Sequence, residues 1–415
     1  MERRFHRHWG NGGGGDLRAA GAGCVANGSL DLGRLCIWRY CGDGAGYAYA
    51  RLGAIYPSNG GIIDFFRRGL GNGVFSLALS LLYLLTLAVS IAMVARAFGA
   101  YAVQFLHEGS EEEHLILLYA LGIIAVMTLF NSLSNHAVGR LEVILVGIKM
   151  MILLLLIIAG VWSLQPAHIS VSAPPSSGAF FSCIGITFLA YAGFGMMANA
   201  ADKVKDPQVI MPRAFLVAIG VTTLLYISLA LVLLSDVSAL ELEKYADTAV
   251  AQAASPLLGH VGYVIVVIGA LLATASAINA NLFAVFNIMD NMGSERELPK
   301  LMNKSLWRQS TWGNIIVVVL IMLMTAALNL GSLASVASAT FLICYLAVFV
   351  VAIRLRHDIH ASLPILIVGT LVMLLVIVGF IYSLWSQGSR ALIWIIGAIL
   401  LSLIVAMVMK RNKTV

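Results

Sequence analysis

Ten apolar runs, separated by short polar loops, dominate this chain of 415 residues. Each run is close to or longer than the ~18 residues that a helix needs to cross the hydrocarbon core of a bilayer. With 60% hydrophobic and 11% charged residues, the sequence predicts an all-α, polytopic membrane protein. The runs fall at about residues 73–106, 114–131, 141–164, 179–201, 214–235, 257–289, 312–330, 332–353, 363–385 and 391–409.

Basic and non-basic loops alternate between these runs. By the positive-inside rule, this alternation predicts which loops lie in the cytoplasm and which lie outside. The basic stretches at 51–70, 202–213 and 290–311 are expected in the cytoplasm, together with the tail at 411–415. The acidic loop at 107–114 is expected outside. The net charge of +6 forms no contiguous basic face, so nucleic acid is not an expected partner.

Cysteines and motifs point away from catalysis and away from metal binding. Cys183 and Cys344 lie inside apolar runs, whereas Cys24, Cys36 and Cys41 lie in an unusual N-terminal segment, without metal-ligand spacing. The sequence has no His-Glu-x-x-His, P-loop or Gly-x-Ser-x-Gly motif. We therefore expect no cofactor, no metal and no enzymatic activity.

Gly193 and Gly195 interrupt the apolar run at 179–201 near its middle. Backbone groups without hydrogen-bond partners are very costly in lipid, so a broken helix is expected where its N–H and C=O groups face a ligand or water. Secondary transporters bind their substrates at such breaks. The alternative is a glycine-containing helix that packs closely against a neighbour.

Four motifs, in order and at matching spacing, resemble prokaryotic permeases of the amino acid–polyamine–organocation superfamily. The resemblance extends over about residues 47–410. The motifs are Tyr49-Ala-Arg-Leu-Gly53 with Tyr56-Pro57 and Gly60-Gly61; Ala137-Val-Gly-Arg-Leu-Glu142 with Lys149; Phe188-Leu-Ala-Tyr-Ala-Gly-Phe194 with Met211-Pro-Arg213; and Ser276-Ala-Ile-Asn279 with Glu297-Leu-Pro299.

The resemblance implies a twelve-helix transporter built on a five-plus-five inverted repeat, in which the first and sixth helices are unwound at the centre. The ten runs are then helices three to twelve. The implied substrate-binding residues are Phe188, Tyr191, Ala192, Gly193 and Phe194. Their mostly small and apolar character favours a small or neutral amino acid, although aromatic rings in an apolar helix are more often packing residues.

A departure from the family's pattern occurs at Asp202, where many members carry glutamate. The resemblance implies a gating role at this position. Because aspartate is one methylene shorter, the gating contact is in doubt here.

Lys149 is the most unusual charge in the chain. It lies nine residues beyond Arg140, about 13 Å along a helix, inside the hydrocarbon core. An ammonium group there needs a partner or water, or must snorkel to the interface. The resemblance implies that Lys149 replaces the cation of sodium-coupled relatives and couples transport to protons. Ser276 and Asn279 are plausible polar neighbours or simple interhelical hydrogen-bonding groups.

Arg96 is a second charge within an apolar run, and that run is longer than a membrane requires. We expect Arg96 to lie near the outer mouth and to snorkel. The alternative is a position in the transport pathway.

Residues 1–46 do not fit this scheme, since they hold 12 of the 39 glycines, 3 of the 5 cysteines and no run long enough to span. The family needs its first helix and most of its second in this region. Read one nucleotide later, the codons of residues 1–18 can encode an apolar helix with the family's glycine core. We expect a frameshift at about residues 44–47, followed by the transporter domain at 47–410.

The sequence as a whole therefore predicts an inner (plasma) membrane amino acid transporter of the proton symport type. Three alternatives stay open: an amino acid exchanger of the same fold, a channel or other membrane protein that does not transport, and a frameshifted product without activity. A channel would need a wide polar lining, which the apolar runs scarcely provide.

Overall fold

The computed structural model describes residues 46–411 except 59, 108–111, 134, 164–203, 237–247, 300 and 308–309, and within 164–203 it describes Leu189, Gly193, Gly195 and Met197. Helix α1 comprises residues 46–55. The further helices are α2 Ile62–Leu70, α3 Val74–Leu106, α4 Glu113–Leu133, α5 Asn135–Ser163, α6 Pro207–Asp236, α7 Ala249–Ser294, α8 Trp312–Ala327, α9 Leu330–Arg354, α10 Leu363–Ser386 and α11 Ala391–Arg411. A short antiparallel pair, β1 Ser305–Trp307 and β2 Ser310–Thr311, precedes α8.

By length and composition, eight of the described helices are able to cross a membrane, which confirms the predicted polytopic helical fold. Helix α8 is shorter, with 16 residues. Its apolar run ends early because Asn329 caps the next helix, accepting a hydrogen bond from the Ser332 N–H at 2.8 Å. The predicted run at 179–201 lies almost wholly outside the described residues.

Helices α3 and α9 form the centre of the fold. Buried residues make up 78% of the most apolar window of α3 and 72% of that of α9, against 22% for α11. Helix α3 packs against α4, α7, α8, α9 and α11. Exposed apolar side chains cover the outer faces of α10 and α11, as expected for helices that face lipid. The centre of α3 and α9 is therefore shielded from lipid.

Helix α7 contains a break that sets where its membrane span begins. Gly259 has φ 67° and ψ −167°, values that a residue with a side chain rarely adopts. The chain therefore forms a short helix before Gly259 and a long helix after it. This break agrees with the sequence expectation of a span beginning near residue 257.

Helix α2 lies across the ends of several long helices, and we call this end of the fold the α2 side. The α2 residues Phe65 and Phe66 are fully buried. The Gly69 carbonyl of α2 accepts a hydrogen bond from Arg354 of α9 at 3.2 Å, and the Asn72 carbonyl accepts one from Lys410 of α11 at 2.7 Å. These side chains satisfy carbonyls that a helix end leaves open. The result is that α2 is attached to both α9 and α11.

A buried ion-pair network attaches α2 to the end of α7 as well. The Arg67 guanidinium contacts Asp64 at 2.6 Å, both carboxylate oxygens of Glu297 at 3.1 Å, and Asn291 at 2.8 Å. The side chains of Arg67 and Glu297 are 12% and 8% exposed. A Cβ at Gly60 would lie 2.4 Å from the Asp64 carboxylate, so the network also requires glycine at that turn.

Candidate functional site

The predicted break lies at Gly193 and Gly195, and the structure describes both residues. Together with Met197 they have 3₁₀ rather than α-helical backbone, whereas Leu189 is α-helical. Gly193 is exposed, and a Cβ built on it would meet no atom of the described residues within 4 Å. Gly195 is buried. The described backbone is therefore not continuous α-helix at the predicted position.

Two tyrosines hold the chain at Gly195. A Cβ on Gly195 would lie 2.9 Å from the hydroxyl of Tyr345 in α9 and 3.5 Å from that of Tyr49 in α1. The Tyr345 hydroxyl interacts with the Gly195 backbone and with the Tyr49 hydroxyl. The two rings meet edge to face, with centroids 5.1 Å apart and an interplanar angle of 82°. Any side chain at residue 195 would displace this contact.

The tyrosine pair belongs to a larger buried aromatic cluster that sequence reasoning missed. Tyr49 also contacts Phe65 of α2 and Phe215 of α6, with ring centroids 6.2 and 6.3 Å away. Tyr49 and Tyr345 are both fully buried. A signal was present in the sequence, because a tyrosine inside an apolar span needs a partner for its hydroxyl. The sequence did not indicate that the partner would be a backbone group at the helix break.

Four of the five predicted substrate-binding residues, and the predicted gating residue, lie outside the described residues: Phe188, Tyr191, Ala192, Phe194 and Asp202. Gly193 is the described member of the set. Its exposed backbone is compatible with contact to a ligand, and its role stays a prediction.

The register of α5 against α7 locates Lys149. A Cβ on Gly269 of α7 would lie 2.9 Å from Ile152 of α5, so these two residues are level with each other. Leu156, one turn farther along α5, is buried in a cluster with Val266. Asn131, four residues before α5 begins, bonds to Asn279, which lies ten residues beyond Gly269, so α5 and α7 run antiparallel. Lys149 lies seven residues before Leu156 and thus on nearly the same face of α5, the face toward α7.

The outward face of α5 supports this assignment. Met151, Leu155, Ile158 and Trp162 are exposed at helical spacing, with Trp162 86% exposed. Lys149 does not belong to this stripe, and its side chain is partly buried. The structure therefore places Lys149 on the protein-facing side of α5 rather than among the lipid-facing residues.

Ser276 and Asn279 are both buried in α7. The Asn279 side-chain oxygen accepts a hydrogen bond of 2.7 Å from the amide of Asn131 in α4. The Asn131 amide also donates to the Met127 carbonyl at 2.9 Å, which fixes the orientation of its amide group. Asn279 thus makes an interhelical hydrogen bond, one of the two roles expected for it.

Arg96 is held by protein groups rather than hydrated. It is 6% exposed, donates to the Thr325 carbonyl at 2.8 Å and forms an ion pair with Glu113. Thr325 lies in the last turn of α8 and Glu113 is the first residue of α4, so Arg96 ties α3 to the ends of two other helices away from the α2 side. The expected snorkelling toward water is wrong, because a carboxylate and an open helix carbonyl already satisfy the guanidinium.

Few charges lie in the interior. Among the described residues, Arg96 and Glu297 are the buried charged ones. Each is paired at a helix end, Arg96 with Glu113 and Glu297 with Arg67. The described groups at Gly195 are the rings and hydroxyls of Tyr345 and Tyr49, and neither is a charged side chain.

Comparison with known proteins gives a family match over most of the chain. The model of the amino acid permease family matches residues 35–408. The inner membrane transport protein YbaT of Escherichia coli is 99% identical over 371 residues, or 89% of this chain and 86% of that protein. The methylthioribose transporter of Bacillus subtilis is 26% identical over 82% of this chain and 77% of its own length. The serine/threonine exchanger SteT of the same organism is 24% identical over 61% of this chain and 58% of its own length.

Proposed function

The chain belongs to the amino acid permease family, and we propose that it is a secondary active transporter that carries small or neutral amino acids by proton symport. Family and relatives make it a multi-pass inner-membrane transport protein rather than an enzyme. The substrate, the coupling ion and the orientation of the chain belong to the proposal. We place the α2 side and the C-terminus in the cytoplasm, because the basic loops lie on the α2 side and the positive-inside rule assigns basic loops to the cytoplasm.

The break at Gly195 carries the proposal. In a membrane, backbone that leaves the α-helix is tolerated where it is buried in protein or faces an aqueous cavity. A Cβ on Gly193 would meet no described atom within 4 Å, and Gly195, two residues later, is held by Tyr345. We infer that Gly195 is the anchor and that backbone N–H and C=O groups near Gly193 face the substrate. Such groups can bind the carboxylate and the amino group of an amino acid.

The position of Lys149 supports proton coupling. An ammonium group on the protein-facing side of α5, well inside the hydrocarbon core, is costly without a function or a partner. In a version with the first helix restored, we therefore expect Lys149→Ala to abolish accumulation driven by a proton gradient. Exchange of substrate should persist in part, because backbone groups rather than Lys149 are expected to hold the substrate. Retention of gradient-driven accumulation by Lys149→Ala would make the lysine structural.

Uptake into proteoliposomes tests the proposal directly. Purified protein is reconstituted, an inward proton gradient is imposed, and uptake of radiolabelled alanine, serine, threonine and glutamine is measured. Accumulation that a protonophore abolishes supports symport. The alternative is an amino acid exchanger, the activity for which the similar protein SteT is named. An exchanger would show uptake only into vesicles preloaded with amino acid.

A second candidate is a protein that inserts into the membrane without transporting. Residues 1–46 carry 12 of the 39 glycines and lack a run long enough to span. The match to YbaT covers 371 of the 415 residues, which is compatible with an N-terminal segment of different origin. This candidate predicts no uptake by the chain, and full uptake once an apolar first helix replaces the segment.

A further inference from the structure

A column of buried polar groups leads from the level of Lys149 toward the α2 side. The first member is Ser276. Gly269 of α7 is level with Ile152 of α5. Lys149 precedes Ile152 by three residues and therefore lies about 4.5 Å nearer the α2 side. That places Lys149 near the level of residue 272 of α7. Ser276 follows one turn later and lies seven residues after Gly269, which puts it on nearly the same face of α7, the one toward α5.

General helix geometry predicts that the Lys149 side chain extends toward the level of Ser276. In a helix the Cα–Cβ bond tilts toward the N-terminus, and long side chains follow that direction. The N-terminus of α5 lies on the α2 side, because α5 runs antiparallel to α7 and the end of α7 contacts α2. The ammonium group is therefore displaced from its own Cα toward the level of Ser276.

Asn279 and Asn131 form the next step of the column. Asn279 lies three residues after Ser276, and its oxygen accepts the hydrogen bond from Asn131. Asn131 is 3% exposed and lies two residues before the end of α4 at Leu133. Among the described residues, the Asn131 side-chain oxygen and the Thr128 hydroxyl, one turn apart on α4, are buried without a hydrogen-bond partner.

Two buried oxygens without partners are costly unless water binds to them. Water bound to the Asn131 oxygen would lie beside the hydrogen bond between Asn131 and Asn279, with Thr128 one turn away on α4. Neither asparagine changes its protonation, so their contribution is to hold water in a fixed place. Water held at these oxygens would form a hydrated step between the level of Lys149 and the end of α4.

We propose that Ser276, Asn279 and Asn131 hold a water chain through which Lys149 releases its proton to the cytoplasm. In this step an N–H bond of the Lys149 ammonium breaks, the nitrogen keeps the electron pair as a neutral amine, and the proton joins the first water. The chain then delivers a hydronium ion to the cytoplasmic side. The inference rests on the proposed proton symport and assigns Asn131 and Asn279 as positioning residues.

The principal test uses the full chain in proteoliposomes and compares Asn279→Leu with Asn281→Leu. Asn281 lies on the same helix and is equally buried, but its amide donates to the Ala277 carbonyl of its own helix. Asn279→Leu should slow gradient-driven uptake at least about tenfold, as the loss of a positioned proton-transfer step predicts. Exchange at equal pH should be unchanged. Asn281→Leu should leave both activities near wild type.

Equal effects of the two substitutions on gradient-driven uptake would overturn the inference while leaving symport standing. Absence of gradient-driven uptake both by the wild-type chain and by a version with an apolar first helix in place of residues 1–46 overturns the proposed symport and the inference together. Asn131→Ser, which keeps a water-binding hydroxyl, should retain more gradient-driven uptake than Asn131→Leu. The opposite order would also overturn the inference.

A second measurement does not depend on transport. Ser276→Cys is treated with a small cationic methanethiosulfonate in inside-out membrane vesicles, and peptide mass spectrometry locates the label. Modification at residue 276, reduced by an added Asn131→Leu substitution, is expected if water reaches this position from the cytoplasmic side. A protected residue 276 contradicts the water chain even if uptake is impaired.

Discussion

Replacing Arg67 by alanine should cost a large part of the stability of the protein. The Arg67 guanidinium bonds to three side chains, and its main partner, Glu297, is 8% exposed. Without the arginine, the Glu297 carboxylate stays buried with no cation. Removal of one member of a buried ion pair costs about 3–5 kcal/mol. We expect Arg67→Ala to lower the free energy of unfolding by about that amount.

Arg68→Ala is the matched control, because Arg68 follows Arg67 in the same helix and is exposed. Its guanidinium lies 4.6 Å from the centroid of the Tyr56 ring, a cation–π contact worth about 0.5–1 kcal/mol at an exposed site. Unfolding in mixed detergent micelles, followed by tryptophan fluorescence, measures both variants. Glu297→Gln added to Arg67→Ala should restore part of the loss, since it removes the unpaired charge. Equal losses for Arg67→Ala and Arg68→Ala would refute the reasoning.

Three further predictions concern the helix break, the topology and the gene. Gly195→Val should abolish substrate binding with little loss of folded protein, because the valine side chain must displace the Tyr345 hydroxyl. Thermal stabilisation by added ligand measures the binding. Wild-type binding by the variant would contradict the role of the contact. A membrane-impermeant thiol reagent applied from outside should label cysteine at Glu112 and not at Lys300, and the reverse pattern would invert the topology. Sequencing of codons 1–47 should show an insertion or deletion just ahead of Tyr47, with an open shifted frame that encodes two apolar segments. An uninterrupted frame combined with measured uptake would disprove the frameshift.

The membrane architecture could be predicted because a span is a local property of the sequence. The apolar runs predict the long helices, and the glycines at 193 and 195 predict the break. Each of these patterns lies within about twenty consecutive residues, so it can be read without knowing the contacts between helices. The ends of a helix are harder to predict where two apolar runs adjoin. The boundary between α8 and α9 depends on the side chain of Asn329, which an apolar average does not detect.

Contacts between distant parts of the chain could not be predicted. Arg67 and Glu297 are 230 residues apart, and Arg96 and Thr325 are 229 apart. Single residues in a polar loop or at a helix end give no indication of their partners. Arg96 was expected to reach water because the sequence shows the cost of burying a guanidinium but not the carbonyl and carboxylate that offset it. Tyr345 was missed for the same reason.

The attachment of α2 has a consequence for the order in which the protein is made. A ribosome releases α2 early, yet the hydrogen bond from Lys410 to the Asn72 carbonyl joins residues 338 positions apart. Glu297 and Arg354, its other partners, also emerge long after it. During synthesis α2 therefore leaves the ribosome with Asp64 as the partner of Arg67 and without Glu297, and its contacts are completed only when the last helix has been inserted. Contacts of such long sequence separation form slowly, so the packing of this region is completed late in assembly.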